Sequence, residues 1–305
     1  MPETARTLRT FKPDVIVASD PFVAAGAFAA RRLARSHAKL IVEVHGEPMT
    51  FTRLYGSQAR RAVSLPADRL AHRSLVRADA TRALSAFTSS VVERARGVPA
   101  TACFPTYSDL SAFADPPLVP VPEAQRLVFV GALEAYKNVR GLAAAWRQVA
   151  AALPGAHLTI VGKGSQQAAV DELVRDLPKS VTHHLELSPP QVAAELDAAR
   201  ALVLPSWPEG LGRVVLESFA RGRTVVATDA GGIPDIVTDG TDGILIPPGD
   251  TAALVDGMTR VLVDHSLAES LGAVARETYG GWHQTAADFA TSYRELVDRV
   301  LAGAR

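Results

Sequence analysis

Short runs of aliphatic residues, each followed by an alanine-rich stretch of helical period, recur along the whole 305-residue chain. The runs are continuously apolar rather than alternating. A strand of that kind is buried on both faces, which implies parallel sheets covered by helices. In the first part, strands are expected at 15–18 and 40–44 and helices at 22–35, 66–83 and 89–96. A proline-dense stretch, Ala114 to Pro122, then denies both helix and central strand. Beyond it the rhythm restarts, with strands at 127–130, 158–161, 202–204, 224–227 and 244–246. Helices are expected there at 139–153, 166–177, 190–199, 214–221, 252–263, 267–275 and 285–301. The expected organisation is a domain over 1–113, a linker over 114–123, a second domain over 124–280 and a C-terminal helix over 281–305.

Composition removes several function classes. Lysine and arginine (32) balance aspartate and glutamate (32), so no global field draws the chain to nucleic acid. One cysteine, Cys103, excludes an internal disulfide framework and a cysteine-rich zinc site. No apolar run reaches the roughly 18–20 residues of a membrane span. The N-terminus lacks the apolar core of a secretory signal. A cytoplasmic protein is expected.

Four loops follow four strands of the second domain, and in a parallel sheet all four open at the carboxyl edge, where such folds take their ligands. The first runs Gly131 to Asn138 and carries Lys137, a cation able to neutralise phosphate. The second, Gly162 to Gln167, begins like a dinucleotide fingerprint but has Gln167 in place of the third glycine, and it lacks a Walker ending. Amides at its helix start could hold a phosphate. The third, Pro205 to Glu217, sets Glu209 before a helix and Glu217 inside it, with Gly210, Leu211 and Gly212 between. Its glycines allow close approach of an anion to the backbone, and its carboxylates can accept from sugar hydroxyls. The fourth, Asp229 to Ile236, is expected to feed another helix start at Pro234. Any one of these loops alone reads equally well as a structural turn.

The HExxH and GxSxG patterns are missing, as is a DxD pair suited to Mg²⁺. His183 and His184 are adjacent on an expected strand, so their rings diverge and cannot share an ion.

Taken in order, VFVGALEAYKNVRGL, PSWPEGLGRVVLESFARG and TVVATDAGGIPDIVTDGTDGILIPPGD resemble the successive blocks of the family 4 (group 1) retaining glycosyltransferases. The central mark is E-x7-E, here Glu209 to Glu217. The likeness is strong over 124–280. It is weaker over 11–110, where KPDVIVAS, IVEVHGEP and CFPTYSDLSAF carry it. The resemblance implies an α/β fold of two Rossmann-like domains (GT-B), with the C-terminal helix returning towards the first. It implies transfer of a sugar, with retention, from a nucleoside-diphosphate sugar to an acceptor, with no metal and no cofactor. It assigns Lys137 to the diphosphate, Glu209 to sugar hydroxyls and Glu217 to ribose hydroxyls. Gly131, Gly162, Gly210, Leu211, Gly212 and Arg213 would line the donor, backbone near Leu185 would meet the base, and His45 would stand near the reacting sugar.

Two features depart from the family pattern. Position 132 is alanine where the phosphate-binding segment carries arginine, leaving Arg140 or Arg213 as substitutes. The first recognisable strand matches a later one of the family, so the N-terminal domain is expected to be incomplete, whether because the start site is misplaced, because the chain is shortened, or because a partner supplies the part that would cover its sheet. An alternative follows: an impaired member that binds nucleotide sugar or serves in an assembly. An epimerase or phosphorylase is disfavoured by E-x7-E, and a dinucleotide oxidoreductase by Gln167. Seven arginines (53, 60, 61, 69, 73, 77 and 82) stand against Asp68 and Asp79, a local excess that reads either as a solvated helix face or as a basic face in peripheral contact with the inner side of a membrane.

Overall fold

The computed structural model describes residues 2–48 and 64–303. Arg53, Arg60 and Arg61 of the expected basic face lie outside these residues. The chain divides into two compact units. One comprises residues 1–107 with 284–305, the other residues 108–283.

The first unit is built on four parallel strands in the order β1-β2-β3-β4. They are β1 (Val15–Ala18), β2 (Lys39–Val44), β3 (Ala80–Ala83) and β4 (Ala102–Cys103). Its helices are α1 (Pro2–Phe11), α2 (Pro21–Ala34), α3 (Ser64–Arg77), α4 (Ala86–Arg96) and, from the end of the chain, a helix over Ala286–Ala302. Asp20 starts α2 by accepting from the amides of Phe22 and Val23, with Pro21 in the first turn. Leu40, Val42 and Val44 pack against Leu75, Val91 and Val92 on one sheet face, while Ile41 and Ala80 pack against Leu296 on the other. The helix expected over 66–83 ends at Arg77, and Ala80–Ala83 is a strand. Its sequence, ATRA, hides this because Arg82 interrupts the apolar run. Arg82 is fully buried and paired with Glu43, so it does not belong to a basic face.

The second unit holds α5 (Ser111–Ala114), β5 (Arg126–Val130), α6 (Val139–Ala152), β6 (His157–Val161), α7 (Gln167–Asp176), β7 (Val181–His184) and α8 (Pro189–Asp197). It continues with β8 (Ala201–Leu204), α9 (Arg213–Ala220), β9 (Thr224–Thr228), β10 (Gly243–Ile246), α10 (Thr251–Val263) and α11 (His265–Trp282). The helix over Ala286–Ala302 is α12. Six parallel strands run in the order β10-β9-β8-β5-β6-β7, a doubly wound sheet whose winding reverses between β5 and β8. Leu127, Phe129, Leu158 and Ile160 enter one hydrophobic core, and Val128, Val161, Leu202 and Leu204 the opposite one. This two-sided burial explains the unbroken apolar strands.

The proline-dense stretch belongs wholly to the second unit, whose boundary falls between Tyr107 and Ser108. Prolines cannot enter a ladder, so their carbonyls need other donors. Arg221, buried and paired with Asp197, donates to the carbonyls of Phe113, Pro116 and Pro117. Arg223, also buried, donates to those of Val119 and Pro120. Composition read the segment as a linker because the guanidinium groups that anchor it lie about a hundred residues downstream.

Candidate functional site

The loops after β5 and β8 leave the sheet side by side at the point where the winding reverses, and those after β6 and β9 flank them. Main-chain bonds join all four. The amide of Leu133 donates to the Lys163 carbonyl, and that of Gln166 to the Leu133 carbonyl. The Trp207 amide donates to the Tyr136 carbonyl at 2.7 Å, and the Gly232 amide to the Glu209 carbonyl at 2.8 Å. Glycine is required where the joints are tightest. Gly162 has φ 146°, and a Cβ there would overlap the Gly131 carbonyl oxygen. Gly231 has φ 66°, and a Cβ there would strike the Glu209 backbone.

Lys137 sits on a single 3₁₀ turn, Ala135–Lys137, with its side chain buried. Its Nζ donates to Glu209 Oε1 at 2.5 Å. The same oxygen accepts from the Ser206 hydroxyl at 2.7 Å. Arg213 Nε donates to Glu217 Oε1 at 3.1 Å across one turn of α9. Burial raises the Glu217 carboxyl above its ordinary range, and the positive charges of Arg213 and Lys137 only partly oppose this. Lys137 therefore acts electrically on both glutamates. Gly212 occupies the N-cap of α9, and no side chain caps the helix. The amides of Arg213 and Val214 precede the first possible intrahelical donor and stand open at the positive end of the dipole.

The structure thus gathers Lys137, Glu209, Gly210, Leu211, Gly212, Arg213 and Glu217 at one rim. Gly131 and Gly162 adjoin it, but their amides are already given to the carbonyls of Val161 and His184. They contribute open space rather than donors. Leu185 is exposed just past β7, beside Gly162. His45 lies in the first unit, at the end of β2, with Nε2 3.1 Å from Glu43 Oε2. The side chains of His183 and His184 go to separate partners, the Gly162 carbonyl and Glu195.

Two sequence expectations need correction. The Gly162–Gln167 loop offers no open amide at Ser165. That amide and the Ser165 hydroxyl both donate to Glu134, and the amides of Gln166 and Gln167 are also taken. No α-helix follows the Asp229–Ile236 loop either. Ile236 and Val237 close a single turn on the Ile233 carbonyl, so this loop supports Glu209 instead of presenting a helix end. Sequence reasoning also missed Ser206 and Glu134. Ser206 stands three residues before Glu209, close enough to have been noticed, whereas Glu134 meets a partner 31 residues away.

Comparison with known proteins decides the family. Residues 124–264 match the family described as Glycosyl transferases group 1, and residues 1–107 match the Glycosyl transferase 4-like domain. The chain belongs to the group 1, family 4-like glycosyltransferases. It is 33% identical over 155 residues to D-inositol 3-phosphate glycosyltransferase of Paenarthrobacter aurescens, covering 48% of this chain and 38% of that one. It is 34% identical over 153 residues to glycogen synthase of Mycobacterium tuberculosis, covering 50% and 37%. These stretches span less than half the length of either relative. Among solved structures, sucrose-phosphate synthase of Thermosynechococcus elongatus superposes with a TM-score of 0.81 at 22% identity, over 99% of this chain and 78% of that one. HepE of Anabaena, in complex with UDP-glucose, gives 0.75 at 19% identity over 99% and 81%. The fold is that of the GT-B glycosyltransferases. Among the described residues no helix is long and apolar enough to cross a membrane.

Proposed function

We propose that this glycosyltransferase-family chain takes a nucleoside-diphosphate sugar and transfers its sugar, with retention and without a metal ion, to an acceptor hydroxyl. The observation that carries the reading is the contact of Lys137 with Glu209 beside the uncapped start of α9, where four loops meet. Departure of the diphosphate develops negative charge. A buried ammonium and open helix-start amides, fixed before the reaction, stabilise that charge without reorganising water. Arg213, at the same helix start, is the cation placed to stand in for the arginine missing at Ala132. Glu209, held by Ser206 and Lys137, accepts from hydroxyls of the donor sugar, and Glu217 from those of the ribose. Backbone near Leu185 meets the base. The family resemblance assigns His45 to the reacting sugar.

A second reading, nucleotide-sugar binding without transfer, is favoured by Ala132, which stands exposed in the phosphate-binding segment. One experiment separates the two. The protein is titrated calorimetrically with a panel of nucleoside-diphosphate sugars, and nucleoside diphosphate release is followed with and without simple glycoside acceptors. Transfer predicts release, and NMR of the product reports retention at the anomeric carbon. Binding with no release across the panel selects the second reading. Lys137→Ala should weaken nucleoside diphosphate binding about ten- to a hundred-fold, since a hydrogen bond to a charged group is worth ~1.5–3 kcal/mol, and should leave the bare nucleoside unaffected. Equal losses for both ligands would remove Lys137 from the diphosphate.

A further inference from the structure

Strand β2 reads KLIVEV, an apolar strand carrying one carboxylate. Glu43 has 12% of its side chain exposed, and a buried carboxylate is costly unless it is paired and fully hydrogen-bonded. Three donors converge on it. Arg82, its direct cross-strand partner on β3, donates to Oε1 at 2.6 Å. The Tyr293 hydroxyl of α12 donates to the same oxygen at 2.7 Å. His45 Nε2 lies 3.1 Å from the other oxygen, Oε2. Arg82 is itself fixed by the Phe104 carbonyl and the Thr106 hydroxyl, and it lies against the rings of Phe104, Phe289 and Tyr293.

The two oxygens therefore do different things. Oε1 ties strands β2 and β3 to α12, and this alone would satisfy a structural ion pair. Oε2 faces the ring of a half-exposed histidine two residues on, at the carboxyl end of the strand. Residues i and i+2 of a strand share a face, so Glu43 and His45 are placed to meet by the strand itself. An ionised carboxylate can only accept, so the hydrogen bond puts the neutral ring's proton on Nε2 and turns Nδ1 outward.

We propose that Glu43 is a positioning residue for His45. It fixes the ring's tautomer and direction, and Arg82 and Tyr293 hold Glu43 in turn, so that α12, from the far end of the sequence, sets the histidine. The consequence for turnover rests on the reading that His45 serves the reaction. The geometric consequence does not.

The test uses the full chain labelled with ¹⁵N-histidine. His45 resonances are assigned by comparison with His45→Asn, and its tautomer is read from the ring nitrogen shifts. The wild type should show the Nε2–H form, and Glu43→Gln should convert it to a mixture. An Nδ1–H form in the wild type, or a spectrum unchanged by Glu43→Gln, overturns the positioning. Glu43→Gln strips a buried arginine of its ionic partner and can fail to fold. Tyr293→Phe keeps the Glu43–Arg82 pair and should still broaden or shift the His45 signals. Hydrolysis of the fastest-cleaved member of a nucleoside-diphosphate sugar panel supplies the second readout. Turnover should fall about tenfold in Glu43→Gln with KM unchanged, and Glu43→Gln/His45→Asn should be no slower than His45→Asn alone. A changed tautomer with full turnover would sustain the positioning and refute the role of His45 in the reaction, so the two claims fail separately.

Discussion

Glu217 should respond to substitution with opposite signs in stability and in affinity. Its carboxyl is buried in the second turn of α9, and burial raises it above the ordinary range despite Arg213 and Lys137. A carboxylic acid raised in this way binds its proton more readily folded than unfolded. Whatever stability this lends is present below the ordinary carboxylate value and is lost as pH rises through the raised one. At neutral pH the ionised form is thus carried at a cost. Glu217→Gln keeps the shape and removes the charge, so the free protein should keep or gain melting temperature. Ligand binding should change the other way. A hydrogen bond to a charged group is worth ~1.5–3 kcal/mol and a neutral one ~0.5–1.5. Glu217→Ala should therefore weaken nucleoside diphosphate binding about ten- to a hundred-fold, and Glu217→Gln roughly tenfold. Wild-type affinity should rise with pH through the raised carboxyl value, and the Gln variant should lack that dependence. Calorimetric titration at several pH values, with thermal unfolding of the free proteins, measures all of this. Unchanged affinity in Glu217→Ala, or a destabilised Glu217→Gln that binds normally, would refute the reasoning.

Other expectations follow from single contacts. Gly162→Ala forces a left-sided backbone onto a residue with a Cβ and drives that carbon into the Gly131 carbonyl, so it should cost about 3 kcal/mol or more in unfolding free energy and abolish donor binding. Gly281→Ala meets nothing within 4 Å and should be neutral or mildly stabilising in the same melt. Burial would raise the Glu43 carboxyl, but hydrogen bonds from His45 and Tyr293 and the Arg82 guanidinium outweigh it and hold it near 2 instead of 4.5. The stability it confers is complete above pH 4.5 and is lost as pH falls towards 2. At ~1.4 kcal/mol per pH unit it amounts to about 3.5 kcal/mol in all, of which about 2 kcal/mol should be lost by the wild type between pH 6 and pH 3 in denaturant unfolding. Arg221→Ala unties three carbonyls of the proline-rich stretch and should speed protease cleavage within 114–122 while leaving nucleotide affinity nearly unchanged.

The sequence carried the second unit far better than the first, for a physical reason. In the second unit every strand but β7, which reads VTHH, is mostly apolar, and every ligand loop is punctuated by glycine, so periodicity and turn chemistry largely suffice. In the first unit β3 carries a buried arginine and β4 is two residues long. The site residues divide in the same way. Lys137, Glu209 and Glu217 stand at strand-end loops or the helix that follows, where position in the sequence implies position in space. Glu134, Arg82, Arg221 and Tyr293 act through partners 22 to 250 residues away, and no local pattern announces such a partner.

The main chain explains why the site carries so few distinctive side chains. Once Gly162 and Gly231 let the loops close on one another, backbone bonds, with the Glu134 carboxylate on Ser165, tie together the loops over 131–138, 162–166, 207–212 and 230–233. The side chains then need only supply charge, and they do so as coupled pairs, Lys137 with Glu209 and Arg213 with Glu217. Pairing keeps each charge satisfied while the site is empty, which matters most for the three of these groups that are largely buried. It also means that a diphosphate must compete with a carboxylate for each cation. Binding is then favourable only for a ligand that returns hydrogen bonds to the displaced carboxylates. Inorganic pyrophosphate offers the negative charge without those hydroxyl donors. A nucleoside-diphosphate sugar offers both, and on this geometry it should bind more tightly than pyrophosphate by more than the contacts of its base alone would provide.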